Sequence, residues 1–582
     1  MSTNGHAARD VKYRFVWDFP IAISPHDHKK VYVGSQFLHM TVNGGQSWEL
    51  ISPDLTLNDR TKQGPSGGIT GDNIGVEYGD VIYSITESPV TAGLIWVGTN
   101  DGQVQITRDG GKRWTNVTKN IPGILPWGTI NNIEASRYDS GTAYITVNGH
   151  QEGNFDPWVY KTTDYGQTWK LIVDGIPRSP LNYARCVRED PVRHGLLYLG
   201  TENGLYVSFN DGERWQPLQS GLPPAPVSWL TVQKHFNDLV VSTYGRGFYI
   251  LDDLAPLQQL TGAIADANVH LFTPPAAYRF RLTSGIRETS DDPTAGHNPT
   301  YGASLSYWLK GVPEGEVSIT IADAAGKTLR KFSGTRARGI NRVYWDLRFD
   351  PMSPSAAPPR PPNVPAPPAG PEEGPLQGPV PVVTPGGRAS GPPPRVNILA
   401  PPGSYQVKLE VGGHEYSQPL TVLQDPSSGG SLREIELQTA MLKDLAADLK
   451  SSVDLMEGVQ EVRRQLRALN EELKSDSDST SLLAAAAALE QKFSDLEDKL
   501  RQQKPVAFYE SPVQLTAKFV YLAGHLQSSD REPTTEARAA HAFLKSELRQ
   551  VQNEYDGLVG KDLAAFNQLL RKRGLKNIED HR

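Results

Sequence analysis

One eight-residue pattern occurs four times in the first half of this 582-residue chain. It consists of a hydroxyl residue, any residue, Asp or Asn, any residue, Gly, two further residues and Trp. The four copies are TVNGGQSW (41–48), TRDGGKRW (107–114), TTDYGQTW (162–169) and SFNDGERW (208–215). An Asp or Asn side chain bonds to backbone amides within a tight turn, Gly accepts a positive φ, and Trp brings a large apolar surface to the next strand. Each copy therefore predicts the turn of a β-hairpin.

The tryptophans of the four copies stand at positions 48, 114, 169 and 215, so they are 66, 55 and 46 residues apart. Each interval accommodates a four-stranded sheet with its loops, and an apolar strand precedes each copy. A fifth unit at 239–254 repeats the strands without the motif. This periodicity predicts consecutive β-propeller blades over 11–257. We assign structural roles to the motif residues Asn43, Trp48, Asp109, Trp114, Asp164, Trp169, Asn210 and Trp215.

The motif resembles the Asp-box, or BNR, repeat of sialidases, two-domain xyloglucan hydrolases and sortilin-type receptors. Longer segments, among them VEYGDVIYSITESP and STYGRGFYILDDL, resemble a large bacterial group of propeller proteins. These are called glycosyl hydrolase or sortilin N-terminal-like after their repeats. Members of the group are usually secreted or periplasmic and carry further blades before the position of Tyr13. The resemblance implies that this chain corresponds to the C-terminal half of such a protein.

Two further domains are expected after the blades. Alternation of apolar and polar residues over 268–349 and 397–424 predicts strands, which we interpret as one immunoglobulin-like β-sandwich over 265–426. A proline-rich tract at 351–396 interrupts it and is expected to be a disordered insertion, because proline offers no backbone donor. Apolar residues in steps of three or four predict an α-helical bundle or hairpin over 430–582. The expected fold class is mainly β: about five blades, a sandwich and a helical module.

Composition and charge exclude several classes of function. A formal net charge of −7 and a pI of about 6.0 offer no sustained positive field to phosphate backbones, so nucleic acid is not an expected partner. Cys186 is the single cysteine, and we predict neither a disulfide framework nor a metal site. The sequence contains no HExxH motif, no phosphate-binding GxxxxGK and no dinucleotide fingerprint, and no cofactor is expected. The sequence shows no membrane span and no secretory signal, which leaves the compartment open.

Candidate ligand-binding residues lie near the starts of the repeated strands, because the innermost strand of each blade lines the channel of a propeller. A Gly-rich stretch at 64–80 is the longest loop between blades and brings carboxylates to such a strand. Glu77 and Glu134 are the candidate catalytic carboxylates. A glycosidase needs two carboxyls roughly 5–5.5 Å apart for retention or 6.5–9.5 Å apart for inversion. The ligand-binding candidates are Asp72, Tyr78, Asp80, Asn131, Asn132, Asn182, Tyr183, Arg185, Tyr244 and Arg246.

These residues leave two functions open. The first is a binding scaffold with a peptide, protein or glycan across its channel face, as in the sortilin-like proteins that the repeat resembles. The alternative is a glycoside hydrolase, of xyloglucanase or sialidase type, that uses a pair of channel carboxylates. Propellers support both, so the fold does not decide between them. Two carboxyls at the stated separations, in a cleft with aromatic platforms for sugars, would favour the enzyme.

Completion of the ring is a separate question. The fifth unit shows only three clear strands, and an opened ring leaves strand edges that promote association. We therefore expect a companion N-terminal propeller half or self-association. The alternative is closure by residues 11–17 as the missing outer strand, which would make a five-bladed ring.

Overall fold

The computed structural model describes residues 4–219, 221–281, 296, 299–350, 396–474, 479–501 and 514–580. Apart from its last residue, the proline-rich tract lies outside the described residues. The chain forms two compact units, Met1–Leu260 and Thr261–Arg582. Among the described helices, none is both long and apolar enough to cross a membrane.

Five antiparallel sheets follow one another in the first unit. The first contains β1 (Ile21–Ile23), β2 (Val31–Gly34), β3 (Leu38–Thr41) and β4 (Glu49–Leu50). The second contains β5 (Ile82–Glu87), β6 (Ile95–Thr99), β7 (Val104–Thr107) and β8 (Thr115–Asn116). The third contains β9 (Thr129–Ala135), β10 (Ala143–Asn148), β11 (Trp158–Thr162) and β12 (Lys170–Leu171). The fourth contains β13 (Ala184–Glu189), β14 (Leu197–Thr201), β15 (Gly204–Ser208) and β16 (Gln216–Pro217), and the fifth contains β17 (Val227–Gln233), β18 (Asp238–Thr243) and β19 (Phe248–Leu251), before a short helix α1 (Ala255–Gln259).

The first strand of each sheet is its inner strand. β1 packs beside β5, β5 beside β9, β9 beside β13 and β13 beside β17, whereas the short outer strands β4, β8 and β16 are exposed. This succession of sheets is that of consecutive propeller blades. The prediction of a mainly β, propeller-like first part is therefore confirmed, while the number of blades in a complete ring stays a prediction.

Glycine sets the spacing between neighbouring sheets. A Cβ atom on Gly98 of β6 would lie 2.4 Å from the side chain of Ile130 on the next inner strand. One on Gly200 of β14 would lie 2.5 Å from Val227, and Gly34 of β2 is equally crowded. Such distances are far below a carbon–carbon contact, so a side chain at these positions would push the sheets apart.

We predict that Gly98→Ala destabilises the first unit by roughly 1–3 kcal/mol, because the methyl group overpacks the contact with the next sheet. Denaturant unfolding followed by tryptophan fluorescence measures the effect. Gly64→Ala is the matched control, since a Cβ there meets nothing within 4 Å. Equal midpoints for the two variants would contradict the proposed role of Gly98.

The eight-residue motif forms the same turn in all four copies. In the third copy, the Asp164 carboxylate accepts the Thr168 amide and the Thr162 hydroxyl, both at 2.8 Å. The same hydroxyl accepts the amide of Gly166, whose φ is 82°. Equivalent bonds are made by Asn43, Asp109 and Asn210. The Asp or Asn side chain is thus occupied within its own turn.

The tryptophan of the motif packs against the preceding sheet. The indole of Trp114 donates to the carbonyl of Ile51 at 3.0 Å, and the indole of Trp215 donates to the carbonyl of Ile172 at 2.8 Å. Ile51 and Ile172 directly follow the outer strands of the first and third sheets. Trp169 of the third copy is buried as well. The tryptophans therefore bind one sheet to the one before it.

Trp48 departs from this pattern. It is 46% exposed, whereas Trp215 is 2% exposed. Trp48 belongs to the first sheet, and no preceding sheet is present among the described residues to cover it. The apolar residues Ile21 and Ile23 of β1 are 64% and 63% exposed, and Phe248 of the last sheet is 79% exposed. Both terminal faces of the stack are thus open in the described chain.

Residues 11–17 lie against the first sheet. The ring of Tyr13 meets that of His39 edge-on at 5.0 Å, and Val16 forms a β-bridge with Glu77. In the described residues the last sheet has three strands, and none of them comes from 11–17. Closure of the ring by this segment is therefore wrong. A companion half or self-association stays a prediction.

We predict that Trp215→Ala costs roughly 3–5 kcal/mol of unfolding free energy, as other buried aromatic truncations do. Trp48→Ala removes the same side chain from an exposed position and should cost far less. Thermal or denaturant unfolding of both variants measures the difference. Similar losses in both would show that burial against the preceding sheet is not what stabilises the fold.

The second unit begins with a short helix α2 (Gly262–Asp266) and two sheets that share one hydrophobic core. One sheet contains β20 (Val269–Leu271), β22 (Ala303–Leu309) and β25 (Gly339–Trp345). The other contains β21 (Ala277–Arg279), β23 (Val317–Asp323), β24 (Thr328–Ser333), β26 (Gly403–Val411) and β27 (His414–Gln424). β21 pairs in parallel with β27. The immunoglobulin-like interpretation stays a prediction.

Helices complete the second unit, which confirms the expected helical C-terminal region. They are α3 (Leu432–Leu473), α4 (Thr480–Leu500), α5 (Leu515–Leu526), α6 (Thr535–Gly557) and α7 (Ala564–Lys572). α3 begins with a capping box in which Ser431 and Glu434 satisfy each other's backbone amides. Its apolar stripe packs with the other helices in a single core.

Candidate functional site

A one-residue bulge recurs in the inner strands of four successive sheets. In β5, Ile82 and Ser84 pair with adjacent residues of β6, so Tyr83 is the extra residue. The equivalent extra residues of β9, β13 and β17 are Asn131, Arg185 and Ser228. Bulges redirect side chains and are common beside functional sites. All four lie where the inner strands begin, and we call this end of the channel the front mouth.

Tyr83 connects two further groups at the front mouth. Its hydroxyl donates a hydrogen bond to the carboxylate of Asp18 at 3.2 Å, and the charge of Arg185 from the fourth sheet acts on it. Burial, followed by the negative charge of Asp18, raises the pKa of Tyr83 to about 12. The hydroxyl therefore stays protonated at neutral pH and remains a donor.

Arg185 holds a carboxylate at the same mouth. Its Nε donates to Glu202 Oε2 at 2.7 Å, and a terminal guanidinium nitrogen donates to the Tyr183 hydroxyl at 3.0 Å. Burial and a hydrogen bond to Glu202 raise the pKa of Tyr183. The Arg185 and Glu202 side chains are 22% and 23% exposed. Glu202 is thus fixed in orientation and still reachable from solvent.

Aromatic rings lie beside this ion pair. The ring of His150 stacks on that of Tyr183 with centroids 5.6 Å apart and planes 14° apart, and Phe155 leans against the same tyrosine at 6.1 Å. His150 and Phe155 come from the long loop between β10 and β11 and are exposed. Burial, and then the charge of Arg185, lower the pKa of His150, so the imidazole is neutral at neutral pH. Together they form an uncharged aromatic platform.

The structure brings several of the expected ligand-binding residues together. Tyr183 and Arg185 are in contact, and the Asn131 amide donates to the carbonyl of Arg185 at 2.6 Å. Asn182 instead forms a hydrogen bond within its own loop: its side-chain amide donates to the carbonyl of Pro177 at 3.0 Å. Asn132 is buried and accepts a backbone amide of β13 at 2.9 Å.

Tyr244 and Arg246 lie in the turn between β18 and β19, where Gly245 and Gly247 have positive φ. Both side chains are exposed. β18 ends opposite the start of β17, so this turn stands at the same end of the last sheet as the front mouth.

The candidate residues of the Gly-rich loop at 64–80 differ from one another in solvent exposure and in hydrogen-bond partners. Asp72 is exposed, and the Glu77 carboxylate accepts the exposed indole of Trp17 at 3.2 Å. Tyr78 is buried, and its hydroxyl donates a hydrogen bond to the carbonyl of His6 at 2.8 Å. Asp80 is fully buried. A ligand at the loop surface would therefore meet Asp72 and Glu77 rather than the other two.

The expected pair of Glu77 with Glu134 is not formed in any described contact. Glu134 accepts Arg188 of the fourth sheet at 3.2 Å and the Glu189 amide at 3.3 Å. Burial raises its pKa, which Arg188 opposes. Glu77 instead contacts Trp17 beside the first sheet. Both residues stay untested as catalytic groups, but the two carboxylates serve different sheets.

Asp80 forms a buried carboxyl pair with Asp101 of the loop between β6 and β7. Asp80 accepts the Asp59 amide at 3.1 Å and the Gln63 side chain at 2.7 Å, and Asp101 accepts the Leu57 amide at 2.6 Å. Burial, followed by the hydrogen bond with Asp80, raises the pKa of Asp101 to about 7. The three hydrogen bonds tie the segment 57–63 to the second sheet, and burial beside Asp80 favours the protonated form of Asp101.

We predict that this pair makes stability depend on pH. The folded-state pKa of Asp101 exceeds the ordinary value of 3.8, so its contribution to stability is complete below about pH 4. The contribution is lost as pH rises to 7, by at most about 1.4 kcal/mol per pH unit. Asp101→Asn retains a donor to Asp80 but cannot titrate. Unfolding free energies of wild type and variant between pH 4 and 8 measure this, and identical slopes would contradict a raised pKa of Asp101.

Sequence reasoning missed three residues of the front mouth: Asp18, Tyr83 and Glu202. Glu202 had a usable signal, because the turn TENG at 201–204 corresponds to TNDG at 99–102, where Asn stands in its place. Tyr83 and Asp18 had none, since neither a bulge nor a contact across 65 residues appears in a local pattern.

The described residues contain no cluster of His, Cys, Asp and Glu that could hold a metal ion. Cys186 is buried, and burial raises the pKa of its thiol to about 11. The thiol is therefore protonated and inert at neutral pH.

Comparisons with known proteins give limited matches. No family model matches the chain. It is 30% identical over 111 residues to an oligoxyloglucan-reducing end-specific xyloglucanase of Emericella nidulans, a match that spans 19% of this chain and 13% of that enzyme. The GH74 xyloglucanase of Xanthomonas campestris is 18% identical with a TM-score of 0.32, over 42% of this chain and 37% of its own. YCF48 bound to a D1 peptide is 17% identical with a TM-score of 0.27, over 41% of this chain and 64% of the YCF48 chain.

Proposed function

We propose that this chain is a glycoside hydrolase-like propeller that binds a neutral glucan of the xyloglucan type at its front mouth. The observation that carries the proposal is that Glu202 lies beside the aromatic platform of His150 and Phe155, at the mouth where Tyr83 also holds Asp18. Glycosidases combine a carboxylate pair with surfaces that hold sugar rings. The 111-residue similarity to a xyloglucanase supports the hydrolase over the binding scaffold.

Each group has a chemical role in this proposal. Glu202, oriented by the guanidinium of Arg185, takes a proton from the water that attacks the anomeric carbon. Tyr83 keeps its proton at neutral pH and donates a hydrogen bond to Asp18, so this pair holds sugar hydroxyls. Water supplies the hydroxyl of the released sugar end, and the proton that Glu202 takes from it passes to the leaving oxygen as the glycosidic bond breaks. The platform positions the glucan against these groups.

A binding scaffold remains the second candidate, favoured by one observation. Both carboxylates already accept a hydrogen bond. Asp18 accepts one from Tyr83, and Glu202 accepts one from Arg185. Such groups serve equally well to hold sugar hydroxyls without cleaving a bond. The ligand would then be a glycan, peptide or protein at the same surface.

We predict that wild type releases new reducing ends from xyloglucan oligosaccharides and that Glu202→Gln lowers kcat by about 10²–10⁴-fold, as expected for loss of a catalytic carboxylate. Glu213→Gln, at an exposed turn of the same sheet, is the matched control and should keep full activity. Binding of the oligosaccharides by both wild type and variants is measured in parallel. Binding without cleavage by wild type would contradict the hydrolase and support the scaffold.

A further inference from the structure

A cavity of about 310 Å³ opens at the opposite end of the channel, where the inner strands end. It is lined by Pro89, Arg137, Pro191, Val192 and Lys234. These residues belong to the turns that follow β5, β9, β13 and β17, so four successive sheets contribute to it. We call this end the rear mouth. The volume is at the lower end of the range for small-molecule sites.

The charges that line the cavity have one sign. Arg137 and Lys234 come from the third and fifth sheets, and neither forms an ion pair with any described residue within 4 Å. The remaining wall consists of two prolines and a valine, which carry no charge. Two cations at one cavity repel each other, and an anion between them would relieve that repulsion.

Two buried carboxylates close to Arg137, Glu189 and Glu134, accept hydrogen bonds from other groups. Glu189 accepts the Ser136 hydroxyl at 2.7 Å and the Arg137 amide at 3.1 Å through one oxygen, and it is buried. Its other oxygen has no hydrogen bond, and the imidazole of His194 lies 3.9 Å from it. Glu134 is bonded to Arg188. The charge of Arg137 acts on Glu134, but neither carboxylate forms an ion pair with Arg137 within 4 Å, so its N–H donors are open to a ligand.

We propose that the rear mouth binds the anionic group of a monosaccharide-sized ligand between Arg137 and Lys234. The recognised chemistry is a carboxylate, sulfate or phosphate that accepts charge-assisted hydrogen bonds from both cations. A uronic acid and a free inorganic anion are two sources of this chemistry. The site lies at the other end of the channel from the proposed glucan site and does not rest on that function.

Calorimetric titration of the full chain with sodium glucuronate, glucose and inorganic phosphate tests the proposal. We expect glucuronate to bind and glucose not to bind. The double variant R137Q/K234Q should weaken glucuronate binding at least about tenfold, the effect expected for loss of charge-assisted bonds. K112Q/R214Q removes two exposed cations from motif turns and should bind as wild type does.

Each outcome decides the matter. Phosphate binding that R137Q/K234Q abolishes would support an anion site that needs no sugar, and binding of glucuronate alone would support a sugar acid. Glucose binding as tight as glucuronate binding, or glucuronate binding that R137Q/K234Q leaves unchanged, would overturn the proposal. So would the absence of binding by both anions. Thermal unfolding of both double variants shows whether each is folded.

Discussion

Packing of each sheet against its predecessor is the contact on which the first unit depends. A tryptophan from the motif covers the end of the preceding sheet and donates its indole N–H to a carbonyl there, as Trp114 does to Ile51. On the inner side, a glycine such as Gly98 lets the next inner strand approach closely. These two contacts fix the distance between sheets at both ends. A sheet of three or four short strands has little core of its own, so it is stable only between neighbours.

The same contacts decide where chemistry can occur. Because each inner strand is held beside the next, a bulge at an equivalent place in four strands brings four side chains to one mouth. Tyr83 and Arg185 act on each other there, although they belong to different sheets. Polar residues that lie between two sheets have a structural role instead. Asn132 and Glu134 satisfy backbone and side-chain donors of the neighbouring sheet, so they hold sheets together.

Burial separates the carboxylates of the first unit into two groups. Asp80 and Asp101 lie side by side inside the structure and hold a loop through hydrogen bonds. Asp18 and Glu202 keep solvent access and lie beside donors that orient them. A protonated carboxyl is useful to catalysis only where a substrate reaches it. Accessible carboxylates beside a phenol and a guanidinium therefore suit sugar chemistry better than the buried pair.

Repetition made much of the fold readable from the sequence. The four motif copies predicted their turns because every bond within them is local, from Asp164 to an amide four residues on. Alternation and helical periodicity likewise marked the strands and helices. Tyr183 and Arg185 became candidates because they stand at the start of a repeated strand, and their role in binding stays a prediction. The exposure of Trp48, the bulge at Tyr83, the contact of Asp18 with Tyr83 and the burial of Asp80 depended on the tertiary structure. Each of these features results from contact, or lack of contact, between segments that are distant in the chain. A local sequence pattern does not indicate which distant surface will cover a residue.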